Sequence, residues 1–205
     1  GRARAVRAEM AVAESLYLEA IALVPDNKYA NYRLARLRYD EGQREEGLAR
    51  LREHGMLLDV PRATTRPTLD GRVSPGEWAA AAHATGFYSY VSEHSAAIPS
   101  LVDTDIYLTW TQDTLYIGFV GHDDEPADLV AVSQDRDDDL WYEDIVELYL
   151  DADHDRQSYV HVGINSRGAL ADAWHPDGLG QQEEAWNADI EVVPHVGDDH
   201  WSLEI

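Results

Sequence analysis

From Ala5 to Asp59 apolar residues recur three and four apart, as in Leu16, Ala20 and Leu23, then Leu34 and Leu37, then Leu48 and Leu51. That spacing lines one face of a helix. Pro25, Asp26 and Asn27 break the run and predict a turn between helices. The segment VPRATTRP, residues 60–67, holds two prolines and two arginines and reads as a linker. Beyond it the apolar period falls to two. IYLTWTQDTLYIGFV predicts a hairpin: Ile106, Leu108 and Trp110 alternate before a turn at Gln112 and Asp113, and Leu115, Ile117 and Phe119 alternate after it. Further strands are expected around residues 145–151, 158–164, 187–193 and 200–205. Several short strands without intervening helices predict a β-sandwich. The chain is therefore expected to be α+β, with helical hairpins over residues 1–59 and an all-β antiparallel sandwich over 68–205.

The run DDDLWYEDIVELYLDADHD, residues 137–155, carries the most information. Side chains on a strand alternate between its two faces, so Val146, Leu148 and Leu150 form a core row while Ile145, Glu147 and Tyr149 face the other way. Trp141 lies just upstream, where a loop can fold over that second face. In SYVHVGINSRG, Val160, Val162 and Ile164 repeat the core row, and Tyr159, His161, Gly163 and Asn165 share the polar side. If the two strands pair, Glu147, His161 and the tyrosines line a groove, and Gly163 removes bulk where something approaches the backbone.

Charge divides the chain. Residues through Arg66 carry 12 Lys and Arg against 10 Asp and Glu, whereas the remainder carries 4 against 29. So acidic a second part repels phosphate backbones and anionic lipid heads, which disfavours nucleic-acid and membrane-surface binding. The absence of cysteine excludes disulfides, thiol catalysis and CxxC zinc sites. There is no apolar run long enough to span a membrane and no signal peptide. The chain begins inside a helical pattern and stops inside the strand-like HWSLEI, so it is expected to be part of a longer polypeptide, its sandwich shortened at the C-terminal end. Paired carboxylates are abundant, but no nucleophile elbow, HExxH or phosphate loop is present, and a non-catalytic protein is expected.

In the helical part Ala13, Tyr17, Ala20 and Pro25, then Leu34, Ala35, Gly42, Glu46, Gly47 and Leu51, fall in the register of a 34-residue repeat. This segment resembles tetratricopeptide repeats, with departures at Asn31, His54 and Asp59. One and a half such repeats cannot bury a solenoid core alone, so the resemblance implies a protein partner or further helices. The second part resembles carbohydrate-binding module family 9, within the DOMON-like sandwiches. The likeness is carried by Leu69-Asp70-Gly71, Trp78, Leu115-Tyr116-Ile117, Trp141 with Asp144, Val146, Glu147 and Asp151, the stretch 159–168, and Trp201 with Glu204.

The resemblance implies that Trp141 stacks on a pyranose ring, that Glu147 accepts hydrogen bonds from sugar hydroxyls, and that His161 orients the ring. A flat aromatic face matches the apolar side of a pyranose, and a charged acceptor forms the stronger class of hydrogen bond. Tyr149 shares the face of Glu147. The family's second stacking tryptophan is not visible here, and Trp174, in what reads as the loop ADAWHPDG, is the expected substitute. The other reading of Trp141 is a packing residue that caps the sandwich edge. Trp78, Trp110 and Trp201 are expected in the core. Structural calcium, frequent in the family, directs attention to Asp123-Asp124-Glu125, to the aspartates of 135–139 and to Asp151, Asp153 and Asp155. The last trio begins like a calcium loop, but Arg156 and Val162 stand where an EF-hand needs glycine and glutamate. A related group binds haem through methionine with histidine or lysine. Here Met10, Met56 and Lys28 all lie in the helical part.

Taken together, these features lead to an extracytoplasmic adaptor, periplasmic or secreted, whose helices dock to a protein while the sandwich presents a carbohydrate-type face. The alternative is an accessory subunit of a larger envelope complex, in which that face docks protein without binding sugar.

Overall fold

A computed structural model describes residues 2–89, 98–155, 157–178, 182–183 and 185–205, and divides the chain into two compact units, one formed by Gly1–Asp59 with Gly86–Leu101 and the other by Val60–Thr85 with Val102–Ile205.

The first unit holds three helices, α1 (Arg2–Leu23), α2 (Lys28–Asp40) and α3 (Arg44–Glu53). Asn27 caps α2 by accepting from the Ala30 N–H at 2.9 Å, which satisfies one of the orphan donors at a helix start. Helices α2 and α3 approach closely because position 47 is glycine: a Cβ there would lie 2.5 Å from the Ala35 carbonyl oxygen. Asn31 is fully buried. Its amide donates to the carbonyls of Pro25 and Asn27 at 2.9 and 3.0 Å and its oxygen accepts from Arg50 at 2.6 Å, so it ties the α1–α2 turn to α3. A large aromatic would leave those carbonyls without these donors. Two short strands, β2 (Tyr88–Ser89) and β3 (Ile98–Pro99), pair within the same unit. No helix among the described residues is long and apolar enough to cross a membrane.

The second unit is a two-sheet antiparallel sandwich. One sheet has the order β1-β4-β5-β10-β9, made of Ala82–Ala84, Thr104–Trp110, Leu115–His122, His200–Glu204 and Val193–Val196. The other has the order β6-β7-β8, made of Ile145–Leu150, Tyr159–Asn165 and Leu170–His175. Phe119, Trp201 and Leu203 from the first sheet pack with Val146, Val162, Ile164 and Leu170 from the second. Val162, Ile164 and Leu203 are completely buried, and truncating one such aliphatic to alanine costs about 2–5 kcal/mol.

Beneath the outer side of the larger sheet the Glu204 side chain is buried. It accepts from the Trp78 indole at 2.9 Å and from the N–H groups of Asp70 and Gly71 at 2.7 and 2.8 Å. Gly71 has φ +84, and a Cβ on it would sit 2.8 Å from the Pro194 carbonyl oxygen. This one carboxylate joins segments far apart in the sequence.

Several expectations need correction. The strand expected at 187–193 begins only at Val193, because Ala188 instead donates its N–H to the buried Asp172 carboxylate at 2.6 Å. ADAWHPDG is not a loop: residues 170–175 are β8, disguised in sequence because Asp172 stands in its apolar row and is compensated there by Arg136. Trp78 and Trp201 are buried, but Trp110 is 41 % exposed at the strand end, with its indole N–H donating to the Val60 carbonyl at 3.0 Å and Arg62 lying over its ring.

Candidate functional site

The site is built on the outward face of β6-β7-β8. Register places Glu147 opposite Gly163 and Ala171, and Tyr149 opposite His161 and Ala173. Tyr149 donates its hydroxyl to Glu147 at 2.7 Å, and His161 lies with Nε2 at 2.9 Å from the same carboxylate oxygen. An ionised carboxylate only accepts, so Nε2 carries the proton. The hydrogen bond from Tyr149, with that from His161, holds the Glu147 carboxyl below its ordinary value against the opposing effect of burial. Burial of the phenol and its bond to Glu147 push the Tyr149 hydroxyl up to about 12.

The rings on this face form a continuous row. Trp141 stacks on His161 with centroids 5.0 Å apart and planes 22° from parallel, and His161 stacks on Tyr149 at 4.3 Å and 11°. Tyr149 meets Tyr159 at 5.8 Å, and Tyr159 stacks on His175 at 4.4 Å. Trp141 reaches the sheet because position 163 is glycine: a Cβ there would lie 3.0 Å from both Trp141 Cζ3 and Leu140 Cδ1. What approaches the backbone at Gly163 is thus the chain's own indole. Trp141 keeps 44 % of its surface exposed.

The loop carrying Trp141 is pinned by polar groups on either side of it. Glu143 accepts from the N–H and hydroxyl of Ser133 at 2.9 and 2.5 Å and from the Asn165 amide at 2.8 Å. Burial acts to raise the Glu143 carboxyl, but these donors outweigh it and hold the group below its ordinary value. Asp144 exchanges bonds with Val130, its side chain accepting at 2.7 Å and its N–H donating at 2.9 Å. Asn165, fully buried, also accepts from the N–H groups of Arg167 and Ala169 and so closes the β7–β8 turn. The supporting roles of Glu143 and Asn165 are invisible in the sequence, since a Glu in an acidic loop and an Asn at a strand end give no periodic signal.

Beside Trp141 lies a cleft of about 200 Å³, lined by Asp137, Asp138, Asp139 and Asp172, by Trp141 and His161, and by the small side chains Ala171 and Ala173, with Gln182 at its margin. Its acidic wall is held along the β8 edge. Asp137, at φ +65, donates its N–H to the Leu170 carbonyl at 3.0 Å and accepts from the Asp172 N–H at 3.3 Å. Arg136 is spent on the buried Asp172, at 2.6 Å, and on the Ala188 carbonyl at 3.0 Å.

Of the five site residues expected from the sequence, the structure brings Trp141, Glu147, Tyr149 and His161 together and does not bring Trp174 to them. Trp174 pairs in register with Val160, on the opposite face of the sheet, and its ring lies against Trp186 at 6.3 Å. Asp151, Asp153 and Asp155 place one oxygen each within 4.8 Å of one another. An oxygen of Asp155 accepts the N–H groups of Gln157 and Ser158, and one of Asp153 accepts the N–H of Asp155 and the Ser158 hydroxyl. That arrangement suits a self-capped acidic turn as well as a hard cation.

No family model matches the chain and no curated protein matches it. Among solved structures it is similar to a carbohydrate binding module family 9 from Caldicellulosiruptor kristjanssonii in complex with cellotriose, at 17 % identity and a TM-score of 0.46, covering 71 % of this chain and 64 % of that one. So distant a likeness assigns neither ligand nor role, and the site stands on its own residues.

Proposed function

We propose that the sandwich unit is a non-catalytic carbohydrate-binding module that receives a pyranose ring in the cleft beside Trp141. The observation that supports it is the indole itself: one face is braced on His161 over Gly163, and much of the ring stays open beside a concave, polar, ring-sized cleft. Stacking against the apolar side of a sugar uses that flat, open surface. Glu147 fixes the orientation of His161 and Tyr149 on the sheet face next to the cleft, and its exposed carboxylate accepts sugar hydroxyls there. The test is a glycan array probed with wild-type chain and Trp141→Ala. Binding lost in the variant supports the reading; binding that survives it removes Trp141 from the site.

A second reading is favoured by a separate observation in the helical unit. Val12, Leu16 and Leu23 of α1, at helical spacing on one side, are 60 %, 57 % and 84 % exposed. On this reading the helices dock to a protein partner within a larger assembly. Size exclusion of gently solubilised native protein checks it: co-migration with a partner that Leu16→Glu with Leu23→Glu disrupts supports docking, and elution alone contradicts it.

A further inference from the structure

The cleft's charge narrows its ligand, given that it binds sugar at all. Four aspartates line it and, among the described residues, no lysine or arginine does. Arg136, next to Asp137 in the chain, is committed to Asp172, whose side chain is fully buried. Asp137 and Asp138 each have one oxygen bonded by neutral backbone N–H groups, from Asp172 and from Gln134 and Asp135 respectively. Those bonds hold the carboxylates in place without cancelling their charge. Asp139 is exposed and has no hydrogen-bond or ion-pair partner among the described residues. Three carboxylates without a cationic partner therefore stand beside a half-exposed indole.

A charge set of one sign at a concave site attracts cations and rejects anions well beyond contact distance. An indole face adds attraction for a cation placed over it. A uronic or sulfated ring would meet like charge along the acidic wall. A neutral ring gains only the stacking and hydrogen bonds. We infer that the cleft selects amino sugars, sugar rings carrying a protonated amine, over neutral and acidic ones, with Asp139 the carboxylate that meets the ammonium.

The measurement is calorimetric titration of the full chain with three probes of equal length, the β-linked trimers of glucosamine, glucose and N-acetylglucosamine, at a pH where the free amine is charged. The glucosamine trimer is expected to bind about tenfold more tightly than either neutral trimer, and high salt should erase most of that ratio. Asp139→Asn should bring the ratio to within about threefold. Equal affinity for charged and neutral trimers overturns the selectivity and leaves the sugar site standing. Failure of all three to bind overturns both.

Discussion

At the scale of single residues, the sandwich depends on a few buried polar groups whose partners are distant in sequence. Glu204 satisfies three donors from two segments, Asp70-Gly71 and Trp78, so Glu204→Ala leaves buried N–H groups without acceptors and should cost about 3 kcal/mol or more. Thermal denaturation would show it as a large drop in Tm, and a drop no greater than that of an exposed Glu→Ala control would contradict the assignment. Tyr149 and Glu147 give a pH signature. The Glu147 carboxyl lies below its ordinary value, so its bonds stabilise the fold above about pH 4 and are lost as pH falls through the folded value. The Tyr149 hydroxyl is raised to about 12, so its contribution is complete at lower pH and is lost as pH rises through that value. Tyr149→Phe should therefore lower Tm slightly near neutral pH, with the difference closing as Glu147 protonates below about pH 4. A difference that persists unchanged in acid would show that the bond is not what the variant removed. These bonds are only half legible in the sequence: strand parity puts Glu147, Tyr149 and His161 on one face, but nothing local marks which buried acid Trp78 will find.

At the scale of elements, the site is a strand face plus a loop laid across it. Parity and turn residues predict β6 and β7 and their polar face, because period-two alternation is a local property. Strand β8 escapes that reading, since Asp172 occupies its inner row, and a charge there reads as loop until Arg136 is seen to compensate it. The same masking makes Trp174 look like a loop residue free to swing toward the site, whereas its strand parity fixes it on the other face. Gly163 is the hinge of the arrangement. In Gly163→Ala the new Cβ would press on Leu140 and Trp141, which should cost about 1–2 kcal/mol by overpacking and tilt the indole. Tryptophan near-UV circular dichroism checks this, and an unchanged spectrum with unchanged Tm would mean the indole does not lie on the sheet. Asn165→Ala acts on the same loop from below, by removing the donor to Glu143 and the acceptor for Arg167 and Ala169.

At the scale of the whole chain, the charge division between helical and sandwich segments is plain in the sequence, and by itself it disfavours polyanionic partners for the sandwich. What composition does not show is that Asp137, Asp138 and Asp139 are brought beside Trp141, which depends on their loop being tied to β8 at Leu170 and Asp172. The functional reading of the sandwich turns on a sugar ring meeting the open indole of Trp141. NMR of the full chain, following the six indole N–H resonances during titration with the glucose and glucosamine trimers, addresses that contact without any substitution. The Trp141 resonance is expected to move first and furthest while those of buried Trp78 and Trp201 stay in place. A saturating shift confined to Trp110, Trp174 or Trp186, with Trp141 unmoved, would contradict it.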